Sequence, residues 1–214
     1  MPHPLVLLGS PLSKERFKKL VKSKVLDYWH TKLRGEASFL LSVPYFHPQY
    51  MSLTSPHKLL TAAGSNPYEV AKARIQLQFL ISQYRSAKLT RHWSPSNPQG
   101  LCTFPACYQS SIVESTEHIL LYCPAYIRTR DILISLGLKL RNPASHSLVT
   151  SSLLANSEQT TMQLLLDCSA LPNVIASAQA YGDEIYKDLF YFGRTWCFSI
   201  HRERKKRLGQ WNFQ

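Results

Sequence analysis

Residues 102–123 read CTFPACYQSSIVESTEHILLYC. The spacing Cys102-x4-Cys107-x10-His118-x4-Cys123 places two ligand-type residues together, then a loop, then two more. One chain wraps a tetrahedral ion in this way, each close pair supplying two corners. Pro105 and the YQSS segment suit turns, and STEHILLY predicts a short helix with His118 in its first turns and Cys123 just beyond its end. Three thiolates and a neutral imidazole suit Zn²⁺, and with four protein ligands the site is closed, hence structural rather than catalytic. The plainer alternative is a set of buried thiols and a surface histidine, because C-x4-C is a looser signal than C-x2-C. Cys168 and Cys197 have no such company and are expected in the core.

Working outward, 214 residues form one domain or two small ones and suffice to bury a core. A hydrophobic share of 44% argues for a globular chain rather than a disordered one. The net charge of +12 favours a polyanionic partner, nucleic acid first and an anionic membrane surface second. The N-terminal apolar run, residues 5–9, is short for a signal peptide and its basic residues follow it rather than precede it. No stretch reaches the length of a membrane span. An intracellular protein, in nucleus and cytoplasm, with reduced thiols is therefore expected, and the odd count of five cysteines fits a disulfide framework badly.

The apolar spacing predicts a mainly α fold, a helical domain with a small embedded zinc-knuckle module. Ser13 is a plausible cap for an amphipathic helix carrying Phe17, Leu20, Val21, Val25, Tyr28 and Leu33, with a net charge of +5 over residues 14–24. Pro44, Pro48 and Pro56 then break helicity. The next helix is expected over 67–91: Asn66 caps, Pro67 takes the first position, and Glu69 completes a capping box. Its buried stripe is expected to be Val70, Ala73, Leu77, Leu80, Ile81 and Tyr84. Helices are also predicted over 125–136, 143–155 and 158–168. A final long helix, or two, carries Tyr181, Ile185, Leu189, Phe192, Trp196 and Ile200, with Gly182 and Gly193 as weak points. Three segments follow: 1–65, helical with a Pro-rich connection; 66–136, basic helix plus Cys-Cys-His-Cys module; 137–214, helical with a basic end.

AKARIQLQFLISQYRSAKLTRHW and the following GLCTFPACYQSSIVESTEHILLYCPAYIRTRDIL resemble the segment after the reverse transcriptase domain of non-LTR (LINE-type) retrotransposon polyproteins. In that family a basic helix with an arginine-rich end precedes a Cys-Cys-His-Cys zinc motif, usually closed by EH-x4-CP. Glu117, His118, Cys123 and Pro124 match that closure. The likeness extends upstream over HKLLTAAGSNPYEVAKARIQ and to the C-terminal YGDEIYKDLFYFGRTWCFSIHRERKKRLGQWNF, and is most specific over 66–136. It implies that Cys102, Cys107, His118 and Cys123 hold one structural zinc. It also implies element RNA or nicked target DNA as partner, with the upstream domains of the same polyprotein as a further one.

No catalytic residue is expected. The polymerase and endonuclease motifs of the family are missing from this chain, and P-loop, zinc-protease and nucleophile-elbow patterns are absent. YGDE at 181–184 looks like a polymerase signature but sits in a helical pattern after the zinc motif; Glu184 and Asp188 read as a solvated helix face. The expected nucleic-acid contacts are Arg85, Lys88 and Arg91, which step by three, with His92 and Trp93, and then Arg202, Arg204, Lys205, Lys206 and Arg207. Cations at a helix end also complement its dipole, and Trp93 reads more readily as core than as a base platform. Tyr108, Tyr122 and Tyr126 stack on bases or fill the module's core. The expected function is non-catalytic, zinc-dependent binding of RNA or DNA, with weak sequence selectivity. The alternatives are a zinc-propped protein-interaction scaffold and a relic fragment.

Overall fold

Side-chain caps and prolines set where the helices begin. In the computed structural model, which describes residues 13–38, 44–46, 56–140, 142–155 and 157–209, the helices are α1 (Lys14–Ser38), α2 (Lys58–Ala63), α3 (Pro67–Leu80), α4 (Ala87–Thr90), α5 (Pro105–Gln109), α6 (Ile127–Gly137), α7 (Pro143–Leu154), α8 (Glu158–Asp167), α9 (Pro172–Tyr181) and α10 (Glu184–Arg207). Asn66, Ser86, Asn142 and Ser157 each accept a hydrogen bond from a backbone N–H of the first turn that follows them. Pro67, Pro105, Pro143 and Pro172 occupy first-turn positions whose N–H would have no helical partner. The expected mainly α fold is thus observed, and among the described residues the sole β pairing is one antiparallel bridge, Leu101 to Val113.

α10 is the axis of the molecule. It packs against α2, α3, α6, α7, α8 and α9, and its Ile185, Leu189, Phe192, Trp196 and Ile200 are buried as the helical spacing predicts. Each such side chain removed from water contributes about 1.5–3 kcal/mol. Tyr181 is the exception at 69% exposure, because the chain breaks at Gly182 (φ +89) and Tyr181 ends α9 instead of opening α10. Gly193 is continuous helix; a Cβ there would meet the Leu165 carbonyl oxygen and, at 2.7 Å, Gln76 Nε2, so the glycine is what lets α10 approach α8.

The expected helix over 67–91 is interrupted. α3 ends at Leu80, Ser82 takes a left-handed φ of 55, and Ser86 caps the separate α4. Stacking of Phe79 on Tyr84, centroids 3.7 Å apart, fixes the turn between them. The buried face of α3 also differs from the expected stripe: Val70 is 45% exposed, whereas Lys72, Gln76 and Phe79 are buried. Polar partners explain the shift. Gln76 donates to the Leu165 carbonyl at 2.7 Å, and Glu69 does not close a capping box but pairs with Lys72 and with Arg194 of α10.

α1 forms from near Ser13 as expected, but Phe17, Leu20, Val21, Val25, Tyr28 and Trp29 are all more than a third exposed. Pro48 and the side chain of Leu33 lie outside the described residues.

Candidate metal centre

Cys102, Cys107, His118 and Cys123 are all buried, and their ligand atoms lie within 4.8 Å of one another. The group can hold a metal ion. Local structure brings the pairs together. The bridge from Leu101 to Val113, with Cys102 N–H donating to the Ile112 carbonyl and Ile112 N–H to the Cys107 carbonyl, folds the first pair into a tight loop. His118 starts a single π-helical turn, His118–Tyr122, and the Cys123 N–H closes it on the His118 carbonyl at 2.6 Å. The expected short helix is therefore wider than an α-turn. A π-turn of this kind is frequent where a helix serves a site.

The donor set fits a tetrahedral cation. A tetrahedron with metal–sulfur bonds of about 2.3 Å has edges of about 3.8 Å. Cys102 and Cys123 Sγ lie 3.7 Å apart, whereas a disulfide needs about 2.05 Å. His118 Nε2 is buried without a hydrogen-bond partner among the described residues. Such a group is costly unless its lone pair has another use. Without a cation the sulfurs compete for protons. The hydrogen bond between them pushes Cys102 up to about 12 and lowers Cys123, and burial raises Cys107. A bound metal cation would replace those protons.

Outer contacts tie this loop to the helical body. Arg130 of α6 donates to the Cys123 carbonyl at 2.9 Å, and Trp196 Nε1 of α10 donates to the Leu120 carbonyl at 3.2 Å. Glu114, on the loop between the pairs, accepts from the Ala87 N–H at the start of α4 and from Arg204 at 2.8 Å. Gly100 (φ +69) brings the loop against α4, since a Cβ would meet Lys88 Cα at 2.8 Å. The sequence gives no motif for Glu114 or Arg130, and it places Trp196 on the core stripe without revealing its bond to the loop.

The basic residues occupy varied settings. Arg85 lies in the turn before α4, Lys88 within it, and Arg91, His92 and Trp93 in the 3₁₀ turn after it, so they do not share one helix. All five are exposed, and Trp93, at 77%, is no core residue. Arg202 and Lys206 are exposed near the end of α10, Lys205 is half-buried, and Arg207 pairs with Glu203 at 3.4 Å. Arg204 is committed to Glu114. Tyr108 and Tyr122 are exposed, and Tyr126 is buried. Cys168 and Cys197 are buried core thiols as expected; burial raises both well above the ordinary thiol value. Glu184 is exposed and bonds Lys187, which fits the solvated-face reading. No described helix is long and apolar enough to cross a membrane.

No protein-family model, curated protein or solved structure matches this chain.

Proposed function

We propose that the protein is a non-catalytic nucleic-acid-binding module, ordered by one structural zinc, of the kind that follows the reverse transcriptase in LINE-type retrotransposon polyproteins. One observation carries the reading. Glu114, inside the Cys/His loop, bonds both the start of α4 and Arg204 of α10. Two basic clusters more than a hundred residues apart in sequence thereby share one edge of the molecule. Zinc is the ion this donor set favours, since three soft sulfurs and an imidazole with no open position suit a closed structural site. Lys88, Arg91, Arg202 and Lys206 contact phosphates, and the exposed ring of Trp93 meets a base. The EH-x4-CP closure at Glu117, His118, Cys123 and Pro124 supports the kinship.

A salt titration of RNA and DNA binding tests the reading. Log affinity is expected to fall by roughly 0.7–0.9 per phosphate contact per log unit of salt. Affinity indifferent to salt contradicts it.

The exposed apolar residues of α1 favour a second reading, a scaffold on which zinc props up a helical protein-docking surface. Charge reversal at Lys88 and Arg91 separates the two: only the nucleic-acid reading expects loss of RNA and DNA binding.

A further inference from the structure

A cleft of about 750 Å³ lies between α3, the turn before α4 and the C-terminal part of α10. Arg74, Arg85 and Lys205 line it, together with Tyr84, Phe198 and His201, and no carboxylate does. None of the three cations has an ion-pair partner among the described residues, unlike Arg204 beside them. The rings are held in place: Tyr84 stacks on Phe79, its hydroxyl lies 3.0 Å from His201 Nδ1, and Phe198 packs edge-on to Tyr68 at 5.7 Å. Burial first, and then the charges of Lys205 and Arg204, depress His201 to about 4.

We infer that this cleft is a seat for a short single-stranded run of polynucleotide, its phosphates on Arg74, Arg85 and Lys205 and its bases against the half-buried ring of Phe198. Deepening the nucleic-acid reading above, on which it rests, this carries the strand from the contacts at Lys88 and Arg91 into the α3–α10 cleft. The volume is that of a small-ligand pocket and admits a few nucleotides. A duplex, with its bases stacked inward, offers the ring no face.

Anisotropy of labelled ten-nucleotide oligo(U) and oligo(dT), with the zinc-loaded full chain, tests the inference. Arg74→Glu with Lys205→Glu is expected to weaken both oligomers by more than tenfold and to lower the log–log salt slope by about 1.4, two contacts at about 0.7 each. Phe198→Leu keeps an apolar side chain but no ring; it is expected to weaken binding about fivefold or more with the slope unchanged. Arg74→Gln serves if the double variant melts early, with a slope lower by about 0.7. If the cleft variants bind like the parent while Lys88→Glu with Arg91→Glu loses binding, the strand lies elsewhere and only this inference falls. Should the parent bind neither oligomer at low salt, the nucleic-acid reading falls with it. Equal displacement by polyglutamate, with Phe198→Leu neutral, overturns the assignment in favour of an acidic polypeptide.

Discussion

His118 Nε2 is buried without a partner, and beside it three buried sulfurs share too few protons or too much charge, a conflict that a bound cation would resolve. Cys107→Ser should abolish stoichiometric metal binding and lower the melting temperature by more than 10 °C, since a structural zinc contributes on the order of 10 kcal/mol. Cys197→Ala, at an equally buried thiol outside the tetrad, should retain the metal and lose only the about 1–3 kcal/mol of a small core truncation. Native mass spectrometry and thermal melts read both. His201 gives a pH signature. Its folded value of about 4 lies below the ordinary imidazole value of about 6.5, so the unfolded chain binds the extra proton. Its contribution to stability is complete above about pH 6.5 and is lost as pH falls toward 4. The urea midpoint should therefore drop between pH 7.5 and 5, and His201→Gln should flatten that drop. The spacing of the tetrad made its members legible in the sequence, because ligand geometry needs close pairs. Trp93 was misread because an isolated aromatic carries no record of which face it occupies.

Helix starts were legible at Asn66–Pro67 and Asn142–Pro143 but not at Ser86 or Pro105, whose cap and proline open helices of only four and five residues. The break after Leu80 was not, because apolar period continues through Ile81 and Tyr84 while the left-handed Ser82 has no glycine to announce it. Buried polar residues were equally hidden: Gln76 and Glu69 acquire their roles from α8 and α10, far off in sequence. Two element-scale outcomes follow. Gly193→Ala should destabilise by about 1–3 kcal/mol, because α10 must move off Leu165 and Gln76. Glu114→Gln leaves Arg204 buried and unpaired, its side chain 12% exposed. It should cost about 2–4 kcal/mol, a fall of roughly 4–16 °C for a chain of this size, with the metal retained. Calorimetry with metal analysis checks both; an unchanged melt for Glu114→Gln would show that the loop is not tied to the helical body through this residue.

For the molecule as a whole, a helical axis buries the core, and a Cys/His loop clamps two basic segments along one edge. Helical content and net charge could be read from composition and period. Convergence of the basic segments could not, since it depends on Glu114 bridging α4 and α10. On the proposed zinc-dependent reading, removal of the ion should unfold the loop and disperse that edge, lowering nucleic-acid affinity along with stability; chelator titration followed by circular dichroism and oligonucleotide binding reads the two together. The most direct test is elemental analysis of the freshly isolated 214-residue chain. One zinc per polypeptide, lost in Cys107→Ser, is the predicted result. A metal-free chain that is fully helical and binds oligonucleotide as tightly as before would contradict the account.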